Sequence, residues 1–124
     1  MRRALTARRE FLKMAGGVVV PGRRKGGDLD LRAARALIRR GSLGKVAFCR
    51  VLRGSVGETM EELRFLFDGA APVSVDGQNG RATLRYARFV ASYEESDRRE
   101  IVLCGSEATM VVNRRGLSLH RRSG

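Results

Sequence analysis

From Val73 onward the chain is cut into short segments by glycine, and this spacing restricts its possible folds more than any other feature. Val73 to Asp76, Ala82 to Tyr86, Arg88 to Tyr93, Glu100 to Leu103, Thr109 to Val112 and Leu117 to His120 each have the length and side chains of a strand. Gly77, Gly80, Gly105 and Gly116 mark the bends, and Asn113-Arg114-Arg115-Gly116 reads as the hairpin turn that closes the last pair. Connections this short join antiparallel neighbours, because a parallel return needs a crossover of a dozen or more residues.

Ahead of Pro72 the periodicity changes. Asp28 or Asp30 can cap a helix running to about Arg40, with Leu31, Ala34, Leu37 and Ile38 on one face and Gly41 placed to end it. Lys45 to Arg53 alternates as a strand. A second helix is expected from about Met60 to Asp68, with Thr59 and Glu62 at capping-box spacing and Leu63, Phe65, Leu66 and Phe67 as its apolar bulk. The class this predicts is α+β, a predominantly antiparallel open-faced sheet with two helices packed on one face. Several strands are apolar on both sides, as Val90 beside Phe89 and Ala91 shows. The uncovered face, carrying some of Phe89, Ala91, Tyr93, Met110 and Val112 or their alternates, is therefore expected to meet a partner, making a homo-oligomer. At 124 residues one such domain fits, but not a second, dinucleotide-binding one.

The N-terminal stretch is of another kind. Thr6-Ala7-Arg8-Arg9-Glu10-Phe11-Leu12-Lys13 closely resembles the twin-arginine export consensus, in which Arg8, Arg9, Phe11, Leu12 and Lys13 are the matching positions. Met14 to Val20 would be its apolar region and Pro21-Gly22 the end of it. No A-x-A cleavage site follows; Arg23-Arg24-Lys25 stands there instead. The expected organisation is a leader and basic linker over residues 1–27 and a folded domain over 28–124. Export to the periplasm or cell exterior is expected, with the cytoplasm as the alternative. No run approaches the ~20 apolar residues of a spanning helix, so stable membrane insertion is not expected.

The net charge of +12 raises the possibility of a small basic nucleic-acid-binding protein. Eight basic residues against Glu10 give Met1 to Lys25 a charge of +7, which leaves only +5 for the other 99 residues. There the arginines are scattered among acids, as on a solvated surface, and a nucleic-acid partner is not expected. Tyr86, Tyr93, Phe89 and Phe48 sit at strand spacing and read as packing residues rather than a stacking platform. Cys49 and Cys104 lack CxxC spacing, and His120 is the one histidine, so no metal site is expected; small buried thiols are favoured over a bridge.

Four segments in order resemble the C-terminal domain of the Gfo/Idh/MocA oxidoreductases. They are Ala34-Arg35-Ala36-Leu37-Ile38-Arg39-Arg40-Gly41-Ser42-Leu43-Gly44-Lys45-Val46; Leu63-Arg64-Phe65-Leu66-Phe67-Asp68-Gly69 with Pro72-Val73-Ser74-Val75; Ala82 to Tyr86 with Phe89 to Glu94; and Leu103 to Val112. The resemblance implies a sheet domain that shapes a sugar-like substrate pocket and mediates oligomer contacts, behind a separate domain for NAD or NADP. This chain has neither a G-x-G-x-x-G run nor the family's Glu-Lys-Pro motif, so no cofactor is expected to bind it alone.

By the same resemblance Glu58 and Glu61 stand where the family shows His-x-x-Asp. A carboxylate can serve as general base when its pKa is raised, but a base without a hydride acceptor completes no oxidation. The plainer account is that Glu58, Glu61 and Glu62 gather at a helix start because the macrodipole favours acids there, by ~0.3–1 kcal/mol each. No catalytic residue is therefore assigned. The function expected is that of a truncated or stand-alone C-terminal domain, non-catalytic alone, with a split enzyme whose nucleotide-binding domain is a separate chain as the alternative.

Overall fold

The computed structural model describes Val18–Val20 and residues 29–122. The export motif at Arg8, Arg9, Phe11, Leu12 and Lys13, the alternative cap Asp28 and the 27/28 boundary lie outside the described residues. In chain order the elements are β1 (Val18–Val20), α1 (Leu31–Arg39), β2 (Val46–Arg53), α2 (Val56–Leu66), β3 (Ser74–Gln78), β4 (Arg81–Arg85), β5 (Val90–Glu95), β6 (Glu100–Gly105), β7 (Ala108–Asn113) and β8 (Gly116–Arg121). They form one sheet in the order β1-β8-β7-β6-β2-β5-β4-β3, antiparallel throughout except where β2 runs parallel to β5. The parallel pair exists because α2 and the β3–β4 hairpin intervene between the two strands and carry the chain back to the starting end of the sheet.

Each helix begins at a polar side chain. Asp30 accepts the Ala33 amide at 3.1 Å and starts α1. Gly41, at φ +83, ends it, with the Ser42 amide donating to the Leu37 carbonyl. The cap of α2 is Ser55, whose hydroxyl accepts the Glu58 amide at 3.1 Å, so the helix opens a turn earlier than the Thr59–Glu62 spacing predicts. Ser55 is fully extended after Gly54, which leaves its hydroxyl free to cap. Thr59 is instead buried inside the helix, its hydroxyl donating to the Ser55 carbonyl. At the far end Asp68 and Gly69, both at positive φ, stop the helix at Leu66.

Alternation along the strands sorts the two faces. Cys49, Val51, Leu84, Ala91, Tyr93, Ile101, Leu103, Met110, Val112, Leu117 and Leu119 share a core with Ala34, Leu63 and Leu66 of the two helices. The opposite face carries Phe48, Arg50, Val90, Ser92, Val102, Cys104, Thr109 and Val111, half-buried to exposed. Of the candidates for the open face, Ala91, Tyr93, Met110 and Val112 thus lie under the helices, and their alternates Val90, Ser92 and Val111 are the uncovered ones. Phe89 precedes β5 and stacks on Tyr86 with centroids 4.4 Å apart. Tyr86, Tyr93 and Phe89 pack as expected, while Phe48 stands 40% exposed.

Cys104 lies opposite Phe48, one register step from Cys49, so the two thiols are free and point to opposite faces. Gly77 lies within β3, and the bend there is Asn79-Gly80, both left-handed. The segment from Gly41 to Lys45 docks across the β6–β7 hairpin: Glu107 donates to the Leu43 carbonyl, and Ser106 exchanges hydrogen bonds with Lys45. A side chain at Gly105 would overlap the Leu43 backbone, so glycine is required for this close approach.

Candidate functional site

At the C-terminal end of β2 the alternation turns Arg53 toward the helices. Gly54 and Ser55 then reverse the chain, and the first two turns of α2 lie over it. On the other side the β5–β6 connection crosses the end of β2, tied down by the Ser96 amide donating to the Arg53 carbonyl at 2.8 Å. Arg53 is thus enclosed, its side chain 6% exposed. Glu58 and Glu62, one helical turn apart on the same face, both reach it. Arg53 Nη2 donates to the Glu62 carboxylate and stands 3.4 Å from Glu58 Oε2. Glu62 is enclosed with it, 10% exposed, while Glu58 is 45% exposed and faces the way out.

The enclosure is polar and under-satisfied. Arg53 Nε and Nη1 and Glu62 Oε1 have no hydrogen-bond partner. Burial lifts the Glu62 carboxyl to about 7, against the opposing pull of the Arg53 charge and with a smaller push from Glu58. Tyr93 is raised by burial and by the charges of Glu95 and Glu58. Tyr86 is raised to about 12 by burial, and its hydroxyl is likewise unpartnered.

Glu61 projects elsewhere. It lines an open depression of ≈ 510 Å³ between the ends of the two helices, with Arg35, Arg39, Arg64, Phe65 and Asp68. There Arg39 donates to Asp68 at 2.7 Å and Arg35 at 3.1 Å; these two hydrogen bonds hold the Asp68 carboxyl below its usual range. The Arg35 guanidinium lies 4.7 Å from the centre of the Phe65 ring. The structure therefore separates Glu58 and Glu61, assigning Glu58 to Arg53 and Glu61 to the depression. Sequence reasoning missed Arg53 and treated Glu62 as a capping residue. The available signal was the helical spacing of Glu58 and Glu62 next to the inward phase of β2.

Chemically, Glu58 offers a carboxylate at the mouth of a buried guanidinium, a pairing that can accept a hydrogen bond from a hydroxyl group. Among the described residues no group of three His, Cys, Asp or Glu side chains could hold a metal ion, and no helix is long and apolar enough to cross a membrane.

No protein-family model matches the chain, and no curated protein does. Among solved structures it is similar to an oxidoreductase from Pseudomonas syringae, with a TM-score of 0.56 at 15% identity over 76% of this chain. The fold is one found in an oxidoreductase. At that identity the likeness concerns the fold alone, and it extends over only 36% of the Pseudomonas syringae chain.

Proposed function

We propose that this chain is a sheet-forming C-terminal domain of the Gfo/Idh/MocA type, standing apart from a nucleotide-binding half and without turnover of its own. One observation carries the reading: the structural match spans 76% of this chain but only 36% of the similar oxidoreductase. What remains of such an enzyme has the length to include a cofactor domain. The domain associates through its open face, where Phe48, Val90, Val102 and Val111 supply apolar surface, and it retains the Glu58–Arg53 pair toward sugar-like hydroxyls. The leader directs it to export by the twin-arginine route.

The test is the full chain incubated with NAD or NADP and a panel of polyols and sugars. No change in nicotinamide absorbance is expected, and turnover would refute the reading. Sedimentation is expected to give a dimer that Phe48→Arg dissociates; a monomer persisting at high micromolar concentration would refute association through the open face. The same share of lengths supports a second reading, a split enzyme whose nucleotide-binding domain is another chain. It requires a Rossmann-type partner to co-purify from cell extracts, and recovery of none counts against it.

A further inference from the structure

The leader reading assigns Met14 to Val20 to an apolar region bound for the export route, yet three of those residues form a strand of the folded domain. Val18, Val19 and Val20 pair antiparallel with Leu119, Ser118 and Leu117. β8 is otherwise the last strand of the sheet on that side, paired with β7 alone. Without β1 its outward amides and carbonyls would form an open edge, ready to take another strand.

We propose that the outer edge of β8 is a strand-binding surface whose occupant is the leader's own Val18–Val20, and that this pairing competes with engagement of the leader at an anionic membrane surface. The same backbone groups cannot serve a sheet edge and a segment lying on a bilayer. β1 spans only three residues, so few ladder hydrogen bonds hold it. On both sides of it the chain is basic, with Arg2, Arg3, Arg8, Arg9 and Lys13 before and Arg23, Arg24 and Lys25 after. A short apolar segment between basic clusters is drawn to anionic lipid headgroups. Val18–Val20 then have two exclusive positions: on the sheet, where they close the β8 edge, and on the membrane, where they leave that edge open. The membrane half of this statement rests on the export reading; the edge pairing does not.

Amide hydrogen exchange on the full chain tests both halves. In buffer, the β8 amides facing away from β7 are expected to be protected, and the triple variant Val18→Pro, Val19→Pro, Val20→Pro, which removes every donor of β1, is expected to lose that protection. Retained exchange protection in β6 and β7 reports that the core of the variant is folded. Equal protection of the β8 edge in wild type and variant overturns the pairing. With vesicles of phosphatidylglycerol and phosphatidylcholine in equal parts, wild type is expected to lose β8-edge protection as it binds. The proline variant is expected to bind them several-fold more tightly, having no pairing to give up. Vesicle-bound wild type with its edge still protected overturns the competition. An export assay in cells reads the leader's route separately: pairing that stands while export fails removes the export reading and leaves the strand-binding edge.

Discussion

The two ends of α2 each hold a carboxylate against arginine, and they do so in opposite ways. Beneath its first two turns Arg53 and Glu62 are enclosed, with three polar atoms left unpartnered and the carboxyl lifted to about 7. Just past its end Asp68 meets Arg35 and Arg39 in the open, and its carboxyl is lowered. The charges are alike; the solvent is not. In the enclosed pair loss of hydration outweighs attraction, whereas in the open pair hydration is retained and the arginines simply favour the ionised form. A pair of this enclosed kind does little for net stability, yet it is sensitive to losing either member.

Removing Arg53 should therefore have the largest effect. At pH 8, where Glu62 is ionised, Arg53→Met is expected to destabilise the domain by about 3–5 kcal/mol in urea unfolding, by removing the hydrogen-bonded counter-charge of a buried carboxylate and leaving it only the weaker pull of Arg99. Adding Glu62→Leu should recover most of the loss. A single variant as stable as wild type would show that the cluster is already hydrated or neutral.

The next effect is the pH dependence of wild type. Because burial raises the Glu62 pKa above its unfolded value of 4.5, the folded state holds a proton that the unfolded state releases between 4.5 and about 7. Stability must then fall as pH rises through that window and level off above it, by about 3 kcal/mol at most. Glu62→Gln should flatten the slope, and an unchanged slope would assign it to other groups.

Ser55→Ala should cost about 1 kcal/mol through the lost cap, and it should loosen Glu58 and Glu62 together, visible as faster amide exchange in the first turn of α2. The smallest effect is expected from Asp68→Asn. Asparagine tolerates the left-handed backbone at φ 52, and the ion pairs it removes are exposed, so the urea midpoint should barely move in moderate salt. A loss matching that of Arg53→Met would erase the distinction between the two ends.

Much of this architecture can be read from the residues. Asn113 to Gly116 does form the last turn, with the Asn113 side chain accepting the Arg115 amide at 2.9 Å, because hairpin chemistry is local. The start of α2 was less visible. Ser55 and Glu58 have capping spacing just as Thr59 and Glu62 do, and Gly57 in the first turn lowers the helical signal of the correct pair. The Arg53 pairing left only a faint local signal, the spacing of Glu58 and Glu62 just after β2, and its enclosure was not legible, since that also needs the β5–β6 connection, distant in sequence. The parallel pairing of β2 with β5 failed to show for a like reason; no local pattern specifies a partner across three intervening elements.

β2 has a consequence for how the chain reaches its native state. On one side of it stand β3, β4 and β5, on the other β6, β7 and β8, and within each trio every pairing joins consecutive strands. Each trio can zip up as a meander from contacts close in sequence, on the fast timescale of hairpins. β5 and β6 are consecutive but do not touch, because β2 lies between them. Its partners are remote: Phe48 must find Val90 on one flank and Cys104 on the other. Closing those long loops is the entropically slow event. Folding is therefore expected to end with an early-made strand wedging between two late-made sheets, so the domain cannot complete itself on the ribosome until nearly all of it has emerged.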